Sequence, residues 1–481
     1  MNRFLYLLIL LFVTQSGITQ EQLGLKLDNF GGVNTILLNP AQGVFSPFSW
    51  DVNLVGADVF VENDYAFFEN TYLPEVLRQL ENEIEVRPEI GNESEIDPNA
   101  LIVDFYRENK KRFLAVATNV TGPSALVQLP KQQSVGILTR ARFATYAQQI
   151  PASFNYYNWD ELPNAEEINI TPMQLTAMAW NEVGIHYSKA FETYNGKVAI
   201  GTNVKFLQGY ESVYVAAVSS FRIQRLPNDS LSASRLSLAY GFTNENITAN
   251  EFNLQRNGIG FGVDLGVSFT IEEYADSYRW RIGASLQDIG QINFNRNAES
   301  YVLQADSLVE VVSSAYEQFD NIDQLDDAIT FFNQDVLGDT LVNNIMRSSF
   351  KVGLPAAFSL QVDYAINENF YLNTTYVQRI SGASAALQRG NLLAFTPRFE
   401  HRWFSASVPV ATYNWQDFRI GLALRMAFLT IGSDNLGSII GRSDFTGTDL
   451  YLALKINPFK VNFGSKSKRK RGKVVCPAIS R

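Results

Sequence analysis

Much of this chain alternates apolar and polar residues with the period of two that is typical of β-strands. In the segment 418–426 every second residue is large and apolar, and the residues between them are Arg419, Gly421, Ala423 and Arg425. The segment 259–269 repeats the pattern, and its second face carries Gly260, Gly262, Asp264, Gly266 and Ser268. Each segment therefore predicts a strand with one apolar face and one face of small or polar residues.

The composition of the second face distinguishes two kinds of β-protein. The outer face of a soluble sandwich is rich in Lys, Glu and Thr because it contacts water. Here the second face is mostly small or polar with scattered charges, which suits the interior of a barrel whose apolar face contacts lipid. The residues that we expect to face a lumen are Gly260, Gly262, Asp264, Gly266, Arg419 and Arg425.

The strand pattern occurs sixteen times, and two of these segments are weak. Fourteen and sixteen are both even, as a barrel with both chain ends at one rim requires. We therefore predict an all-β fold over residues 49–459, a transmembrane antiparallel β-barrel of about 14–16 strands. The predicted strands cover residues 50–61, 113–129, 134–149, 179–191, 196–209, 211–223, 233–242, 258–271, 278–288, 356–366, 369–380, 391–401, 403–412, 417–426, 428–434 and 448–458.

The connections between these segments differ greatly in length. If strand directions alternate, one rim receives the short turns near residues 130–133, 192–195, 272–277 and 367–368. The other rim receives the long segments near residues 62–112, 150–178, 243–257, 289–355 and 435–447. Long outer loops and short periplasmic turns are typical of outer-membrane barrels. The short strand at 428–434 is needed for this parity.

Residues 1–20 predict a secretory signal peptide. Arg3 precedes an apolar run from Phe4 to Val13, and small and polar residues follow as far as Gln20. A charged start, a short apolar core and a polar exit define such a signal, and we expect cleavage near Gln20. The run is too short to span a bilayer as a helix, and no later stretch is long and apolar enough. A membrane-embedded mature chain must therefore be a closed barrel.

Composition excludes several function classes for this chain of 481 residues. Its apolar fraction of 46% is too high for a disordered protein. One cysteine excludes a disulfide scaffold or a multi-cysteine zinc site, and two histidines leave little material for a His-rich metal centre. We therefore expect no metal and no cofactor.

Charge is distributed unevenly along the chain. The net charge of −10 includes eight cations after Phe459, so residues 1–459 carry −18. We expect the basic tail, residues 460–481, to lie in the periplasm, where anionic headgroups or an acidic partner could bind it. Its candidate contacts are Lys468, Arg469, Lys470, Arg471 and Cys476, and the cysteine is either a free thiol or a site of pairing with a partner. The signal peptide argues against the nucleic-acid partner that a basic run otherwise suggests.

The long loops carry the acidic residues. Residues 62–109 contain thirteen Asp or Glu and three Arg, and residues 299–339 contain ten acidic residues and no Lys or Arg. The second loop also has apolar residues at helical spacing from Leu308 to Phe332, which predicts a partly helical loop over or inside the barrel mouth. A solvated surface loop is the alternative, and no Asp-x-Asp-x-Asp-Gly sequence supports a calcium site.

Signals for catalysis are weak. His186 and His401 lie near the ends of predicted strands, and neither has a nucleophile and an orienting carboxylate at a recognisable spacing. Glycines between 258 and 266 follow Gly-x-Gly-x-x-x-Gly inside continuous β-alternation, whereas a dinucleotide fingerprint opens a helix. We expect a non-enzymatic protein in which both histidines are structural.

Two sets of residues resemble known outer-membrane families. The segment Leu37-Leu-Asn-Pro-Ala-Gln-Gly43 resembles the Asn-Pro-Ala segment of long-chain fatty-acid-transporter-like barrels, which related outer-membrane proteins of type IX secretion share. A second set resembles a Bacteroidota outer-membrane barrel family catalogued only as a domain of unknown function. This set comprises Trp50-Asp-Val-Asn-Leu-Val-Gly, Gly262-Val-Asp-Leu-Gly, Ser285-Leu-Gln-Asp-Ile-Gly290, Leu422-Ala-Leu-Arg425, Thr430-Ile-Gly-Ser-Asp-Asn-Leu436 and Thr446-Gly-Thr-Asp-Leu-Tyr-Leu452.

The resemblance implies a surface barrel without known catalytic residues. In the transporter-like relatives the N-terminal segment forms a plug, which implies that residues 21–48, with Asn39, Pro40 and Ala41, form a plug-like segment here. The expected function is structural or scaffolding within an envelope complex, through contacts of the acidic loops and the basic tail, in a barrel surrounded by outer-membrane lipid. A channel or transporter for a small hydrophobic or amphipathic molecule is the alternative.

Overall fold

The computed structural model describes residues 21–458 apart from several stretches. Those stretches are residues 80–83, 88–99, 107, 109, 152–166, 227–229, 244–254, 275–276, 306–308, 313–314, 316–317, 319–330, 332–341, 381–384 and 417. The predicted signal peptide, residues 1–20, and the basic tail, residues 460–481, therefore lie outside the described residues. The same holds for the candidate tail contacts Lys468, Arg469, Lys470, Arg471 and Cys476.

In the described part of the chain, fourteen antiparallel strands form a closed barrel. The first seven are β1 (Trp50–Asn63), β2 (Arg112–Thr121 and Ser124–Leu129), β3 (Gln133–Ile150), β4 (Gln174–Thr193), β5 (Gly196–Ala217), β6 (Leu236–Thr243 and Gly258–Tyr274) and β7 (Ser277–Phe294 and Ala298–Ala305). The last seven are β8 (Val342–Arg347, Phe350–Gly353 and Ala357–Ala365), β9 (Phe370–Arg379), β10 (Leu392–Glu400), β11 (Phe404–Ser407 and Val410–Tyr413), β12 (Phe418–Ile420 and Leu422–Met426), β13 (Leu429–Ser433) and β14 (Gly447–Ile456). Neighbours in the chain are neighbours in the wall, and β14 pairs with β1 to close it. The all-β barrel prediction is confirmed.

Sixteen predicted segments correspond to fourteen strands because two pairs of segments are single strands. The segments 196–209 and 211–223 belong to β5, which continues to Ala217 through one register shift between Gly209 and Glu211. Such a bulge bends a strand without ending it. The segments 233–242 and 258–271 are the two parts of β6, since both pair with β5. Residues 243 and 258 therefore belong to one strand of the wall, whereas the sequence predicts two strands joined by a long loop at the rim.

Alternating strand directions sort the other connections by length. The short turns 130–132, 194–195, 366–369, 401–403 and 427–428 lie at the rim where β1 begins and β14 ends, which we call the short-turn rim. The long connections after β1, β3 and β7 lie at the opposite rim, which we call the long-loop rim. The short β13 supplies the even strand number on which this arrangement depends.

The outward face of the wall is apolar. Ile185 in β4, Val204 in β5 and Phe261 in β6 are each at least 50% exposed. Exposed aromatic residues near the rims include Trp50, Trp280, Trp403, Trp415 and Phe418. An apolar band with aromatic residues at both edges is the surface of a membrane-spanning barrel. Within the described ranges, no helix is long and apolar enough to cross a membrane.

Residues 21–48 lie inside the barrel, and we call them the lumenal segment. They form the short helix α1 (Leu23–Lys26) and two 3-10 turns, Gly32–Leu37 and Pro40–Phe45. Gly32, the first residue of the first 3-10 turn, has a φ of +59°, which a glycine adopts without strain. Asn39 starts the second 3-10 turn, because its Oδ1 accepts a hydrogen bond from the Ala41 N–H at 3.0 Å and Pro40 occupies the first position.

Two small sheets stand at the long-loop rim, where the sequence predicts acidic loops. One comprises Ala66–Thr71, Ile84–Val86, Leu101–Phe105 and Ser443–Phe445, beside the helices α2 (Leu73–Gln79) and α3 (Gly437–Ile440). The other comprises Glu167–Ile170, Phe221–Leu226, Ser230–Ser234 and Val309–Val312. The first sheet has its own cluster of buried apolar residues, whereas the cluster under the second sheet is shared with strands β5, β6 and β7. These loops are therefore folded subdomains as well as carriers of charge.

The helical prediction for Leu308 to Phe332 is wrong at Val309–Val312. Residues 299–305 continue β7, and Val309–Val312 pairs with Ser230–Ser234 as an edge strand. The sequence Val-Glu-Val-Val favours a strand because β-branched side chains pack well on a pleated surface. Most of the predicted helical stripe lies outside the described residues.

Candidate functional site in the barrel lumen

Three glycines on adjacent strands form a seat for the lumenal segment. A β-carbon on Gly201 of β5 would lie 2.4 Å from the Pro40 carbonyl group, and one on Gly266 of β6 would lie 2.1 Å from Asn39 Oδ1. On β7, a β-carbon on Gly283 would lie 2.7 Å from Asn39 Nδ2. Any side chain at these positions would displace the Asn-Pro turn. The structure thus brings the predicted lumen residue Gly266 against the predicted segment Asn39–Ala41.

Polar side chains of the wall bind the backbone of this segment. Ser285 Oγ and Gln287 Nε2 donate to the Leu38 carbonyl at 2.7 and 2.5 Å. Asn203 Nδ2 donates to the Ile36 carbonyl at 3.0 Å. Each such hydrogen bond replaces one to water and contributes only about 0.5–1.5 kcal/mol net. Such hydrogen bonds hold the segment together with small apolar clusters, in which Leu23, Leu25 and Ile36 pack against the wall.

His186 belongs to this polar lining and lies in the middle of β4, not near a strand end as the sequence suggested. Its Nδ1 lies 2.8 Å from Asn203 Oδ1, and its Nε2 lies 3.2 Å from Ser134 Oγ. A β-carbon on Gly43 of the lumenal segment would lie 2.4 Å from His186 Nε2. The Ser–His–Asn arrangement is thus fully covered by the segment, and the imidazole connects wall strands where the segment packs. His401 lies in the turn between β10 and β11.

A network of buried charges lies on the inner wall between β3 and β7. Lys205 Nζ lies 2.7 Å from Asp264 and 2.5 Å from Asp288. Arg142 lies 3.0 Å from Asp288 and 2.9 Å from Glu182. Because the members alternate in sign, each charge removed from water gains an opposite partner. The predicted lumen residue Asp264 is a member of this network.

Part of the connection between β9 and β10 extends from the long-loop rim into the barrel and contacts this network. Residues 385–391, which we call the inward loop, bury Ala385 and Leu387 in the main apolar cluster. Arg389 Nη2 lies 2.9 Å from Asp288, and its Nη1 lies 2.8 Å from Oε1 of Glu21. The inward loop and the lumenal segment therefore meet inside the barrel, through an ion pair of which both side chains are largely buried.

A second group of ion pairs holds the lumenal segment near the short-turn rim. The predicted lumen residue Arg425 donates to Asp28 at 2.7 Å, and Ser405 Oγ lies 2.5 Å from the same carboxylate. Burial alone would raise the pKa of Asp28, but Arg425 and Ser405 outweigh it, so this pKa lies below its ordinary value. Burial lowers the pKa of the Lys26 ammonium, and Glu21 and Asp58 partly oppose this effect.

The remaining predicted lumen residues also lie on the inner wall. Arg419 forms an ion pair with Glu62 of β1. A β-carbon on Gly262 would lie 3.0 Å from Leu354 and 3.3 Å from Lys205, both inside the barrel. Gly260 pairs in register with Leu207 and Ile292, whose side chains are fully buried in the main apolar cluster. Small residues here leave room for long charged and apolar side chains from neighbouring strands.

Two small cavities flank the lumenal segment. One, of about 40 Å³, is lined by Asp28, Asn29, Asn39, Arg281 and Asp363 among others. The other, of about 60 Å³, lies next to the inward loop. Its lining includes four cations, two carboxylates and three aromatic residues: Lys26, Arg140, Arg142, Arg389, Asp264, Asp288, Phe60, Tyr146 and Tyr413. Phe60 and Tyr413 are in edge contact, with ring centroids 5.0 Å apart.

Sequence analysis missed Lys205, Asp288, Arg142, Glu182 and Arg389. The available signal was a charge at an inward position in the middle of a strand, as for Lys205 in β5. Their mutual contacts could not be found that way, because they depend on which strands pair. In the described part of the chain, no three His, Cys, Asp or Glu lie close enough together to hold a metal ion.

Comparison with known families identifies the chain. The profile described as "Family of unknown function (DUF5723)" matches residues 40–434, so the chain belongs to that family. This confirms the expected membership of a family of unknown function, while the relation to Bacteroidota and type IX secretion stays a prediction. A comparison with curated proteins found no match.

Among solved structures, the chain is similar to outer-membrane channels of low sequence identity. A mutant of the monoaromatic hydrocarbon channel TodX shares 10% identity at a TM-score of 0.41, over 89% of this chain and 95% of that one. The toluene transporter TodX of P. putida shares 10% identity at a TM-score of 0.37, over 89% and 94% of the two chains. The toluene transporter TbuX of Ralstonia pickettii shares 10% at a TM-score of 0.37, over 88% and 92%.

Proposed function

We propose that this member of the DUF5723 family is a non-enzymatic outer-membrane channel that passes a small hydrophobic or amphipathic molecule. The observation that carries the proposal is the cavity between the inward loop and the lumenal segment, which is lined by both cations and aromatic residues. Arg140, Arg142 and Arg389 line it together with Phe60 and Tyr413. Such a surface offers hydrogen-bond donors to an anionic or polar head and aromatic faces to an apolar body.

The size of this cavity implies a gate. About 60 Å³ is room for about two water molecules and for no larger cargo. Passage therefore requires displacement of the lumenal segment or the inward loop. The many polar contacts of the lumenal segment suit this role, because water can replace each of them when the segment moves.

Planar-bilayer conductance of the purified barrel tests this proposal. We expect the full chain to conduct little, and a variant without residues 21–48 to form an open pore. Octanoate should reduce that conductance more strongly than octylammonium, because the lining cations Arg140, Arg142 and Arg389 outnumber the carboxylates Asp264 and Asp288. Replacing Arg140 and Arg142 with Gln should remove the difference. A closed or absent pore in the shortened variant, with the barrel shown to be folded by its heat-dependent gel migration, would contradict the proposal.

The absence of enzymatic activity has its own test. His186 and His401 are the two histidines of the chain, and His186 alone has a serine and an amide oxygen beside it. We expect a His186→Gln, His401→Gln double variant to pass cargo at the rate of the parent chain. A clear loss of function without loss of folding would support a chemical role for His186.

A structural or scaffolding role is the second candidate. The two folded sheets at the long-loop rim favour it, since a simple pore does not need them, and the first has an apolar core of its own. Partners would bind the acidic loops and the basic tail. Co-purification after gentle solubilisation tests the role, and a variant without residues 460–481 tests the tail. Retention of every partner by that variant would leave the tail without this function.

A further inference from the structure

Glu21 lies deep inside the barrel, at the far end of the lumenal segment from β1. Glu21 is only 3% exposed, and its side chain forms an ion pair with Arg389 of the inward loop. The next residue, Gln22, donates from its side chain to Asp58 of β1. The Leu23 N–H then donates to Oδ2 of Asp434 at 2.9 Å. The start of the lumenal segment is therefore surrounded by acidic residues of the wall.

Two acidic residues of the wall, Asp434 and its neighbour Asp449, have no counter-ion among the described residues. Asp434 accepts only neutral donors, the Leu23 N–H and the Tyr451 hydroxyl, the latter at 3.0 Å. Asp449 is 4% exposed, and its Oδ1 has no hydrogen-bond partner. The β13–β14 ladder pairs Gly432 with Tyr451, and the same register two residues further on sets Asp434 opposite Asp449, so the two carboxylates repel each other. Throughout the described ranges, no Lys or Arg side chain forms an ion pair with either of them.

The nearby cations are engaged elsewhere. Arg389 bridges Glu21 and Asp288, and Arg419 pairs with Glu62. Lys26 lies 4.0 Å from Glu21. A buried carboxylate is favoured in its charged form by an opposite charge, so an added positive group would be stabilised in this corner of the lumen. The acidic residues here also do not form a group that could hold a metal ion.

We propose that the signal peptide is removed at the peptide bond before Glu21, and that the α-ammonium group thus created is the counter-ion of Asp434 and Asp449. Cleavage is a hydrolysis by a signal peptidase. Water adds its hydroxyl to the carbonyl carbon of Gln20 and its proton to the Glu21 nitrogen, which takes up a second proton at neutral pH.

The geometry places the new charge within reach of both carboxylates. The Leu23 nitrogen lies two residues after the Glu21 nitrogen, so at most about 7 Å of chain separates these atoms. Because Leu23 already contacts Asp434, the α-ammonium group can approach the Asp434–Asp449 pair. Chain maturation thereby locks the lumenal segment into the barrel, and a chain that keeps residues before Glu21 lacks this charge at this place. The inference does not depend on what the barrel transports.

Three variants of the full-length chain test the proposal. In the first, Asp449→Asn removes the unpartnered carboxylate. In the second, a Gly-Ser-Gly insertion between Gln20 and Glu21 moves the mature α-amino group away from it. The control is Asp444→Asn, which changes an exposed acidic residue of the nearby rim sheet. Intact mass of the purified barrels shows where each chain begins.

The readouts are the labelling rate of the α-amine at pH 7 by an amine-selective aldehyde and the temperature of the gel-migration shift. We expect the parent chain to begin at Glu21 and to be labelled about tenfold more slowly folded than unfolded. Asp449→Asn and the insertion should each speed labelling and lower the transition temperature. Their combination should be no worse than either alone, since both remove the same ion pair. Asp444→Asn should match the parent.

Several outcomes would overturn the proposal. A mature chain that begins more than two residues from Glu21 removes its basis. Equal labelling of folded and unfolded parent chain shows that the α-amine is free. An unchanged or raised transition temperature in Asp449→Asn shows that the Asp449 carboxyl group is protonated and needs no counter-ion. Additive effects of the substitution and the insertion show that they act on different contacts.

Discussion

Gly266 of β6 faces Asn39 of the lumenal segment so closely that a β-carbon on the glycine would lie 2.1 Å from Asn39 Oδ1. Asn39 Nδ2 donates meanwhile to Oε1 of Gln361 on β8 at 2.9 Å. One asparagine therefore spans the wall from β6 to β8, and it can do so only because no side chain stands at position 266.

We expect Gly266→Val to displace the Asn-Pro turn and open the lumen. The added side chain would overlap Asn39, and the segment's hydrogen bonds are too weak individually to hold it against that overlap. Single-channel recording should show a higher open probability than for the parent. The matched control is Gly437→Ala, where a β-carbon would meet nothing closer than 3.6 Å. Equal conductance in both variants would mean that the turn does not close the pore.

We expect Arg389→Gln to separate the inward loop from the lumenal segment. The change leaves Glu21 and Asp288 without this partner, and breaking a buried ion pair costs about 3–5 kcal/mol. Denaturant unfolding in detergent measures this loss. Arg222→Gln breaks the exposed pair with Glu167 and should cost under about 1 kcal/mol. Similar losses in the two variants would contradict the role of the inward loop.

We expect Lys205→Met to destabilise the barrel by about 3–5 kcal/mol, because Asp264 and Asp288 would remain buried without their shared cation. The free energy of unfolding measures the loss. Adding Asp264→Asn to the first change should recover part of it, since one uncompensated charge is then gone. No recovery in the double variant would show that Lys205 acts through packing.

We expect acid to remove the contribution of Asp28 to stability. Its pKa is lowered in the folded chain by Arg425 and Ser405 against the effect of burial, so the stabilisation is present above the ordinary value of 3.8. It is lost as pH falls through the lower, folded-state pKa. Unfolding of the parent and of Asp28→Asn, measured across acidic pH, should therefore converge at the acid end. A difference that stays constant in acid would exclude this linkage.

We expect Ile185→Lys to destabilise the membrane-inserted barrel by about 2–4 kcal/mol, because Ile185 faces outward at the middle of β4. Unfolding in lipid vesicles measures the effect. Tyr194→Lys, in the fully exposed turn after β4, serves as the control and should change stability little. If both variants behave alike, this face of the wall does not contact lipid.

The local sequence pattern predicted most of the wall. In a strand with lipid on one side and a lumen on the other, apolar and polar side chains alternate with a period of two residues. Residues 259–269 show this directly, and they lie in β6 as expected. The pattern failed where continuity mattered. In the sequence, the bulge after Gly209 cannot be told from a turn. Only the pairing of β5 with β4 and β6 beyond this point shows that the strand continues.

The lumen was predictable only in part. Gly266, Asn39 and Arg425 stood out individually, by alternation or by resemblance. Their partners did not, because Asn39 meets Gln361 and Arg425 meets Asp28 across several hundred residues of sequence. Which strands are neighbours decides such contacts, and no local window contains that information.

The sequence by itself determined that this chain forms a barrel, with an apolar outer face and an inner face of small and polar residues. That much follows from side-chain periodicity, which every strand carries within its own length. The tertiary structure decided that the lumen is filled, that the inward loop meets the lumenal segment at Arg389 and Glu21, and that Asp434 and Asp449 lie side by side. These relations arise from barrel closure, because closure alone brings distant charges out of water and into one another's reach.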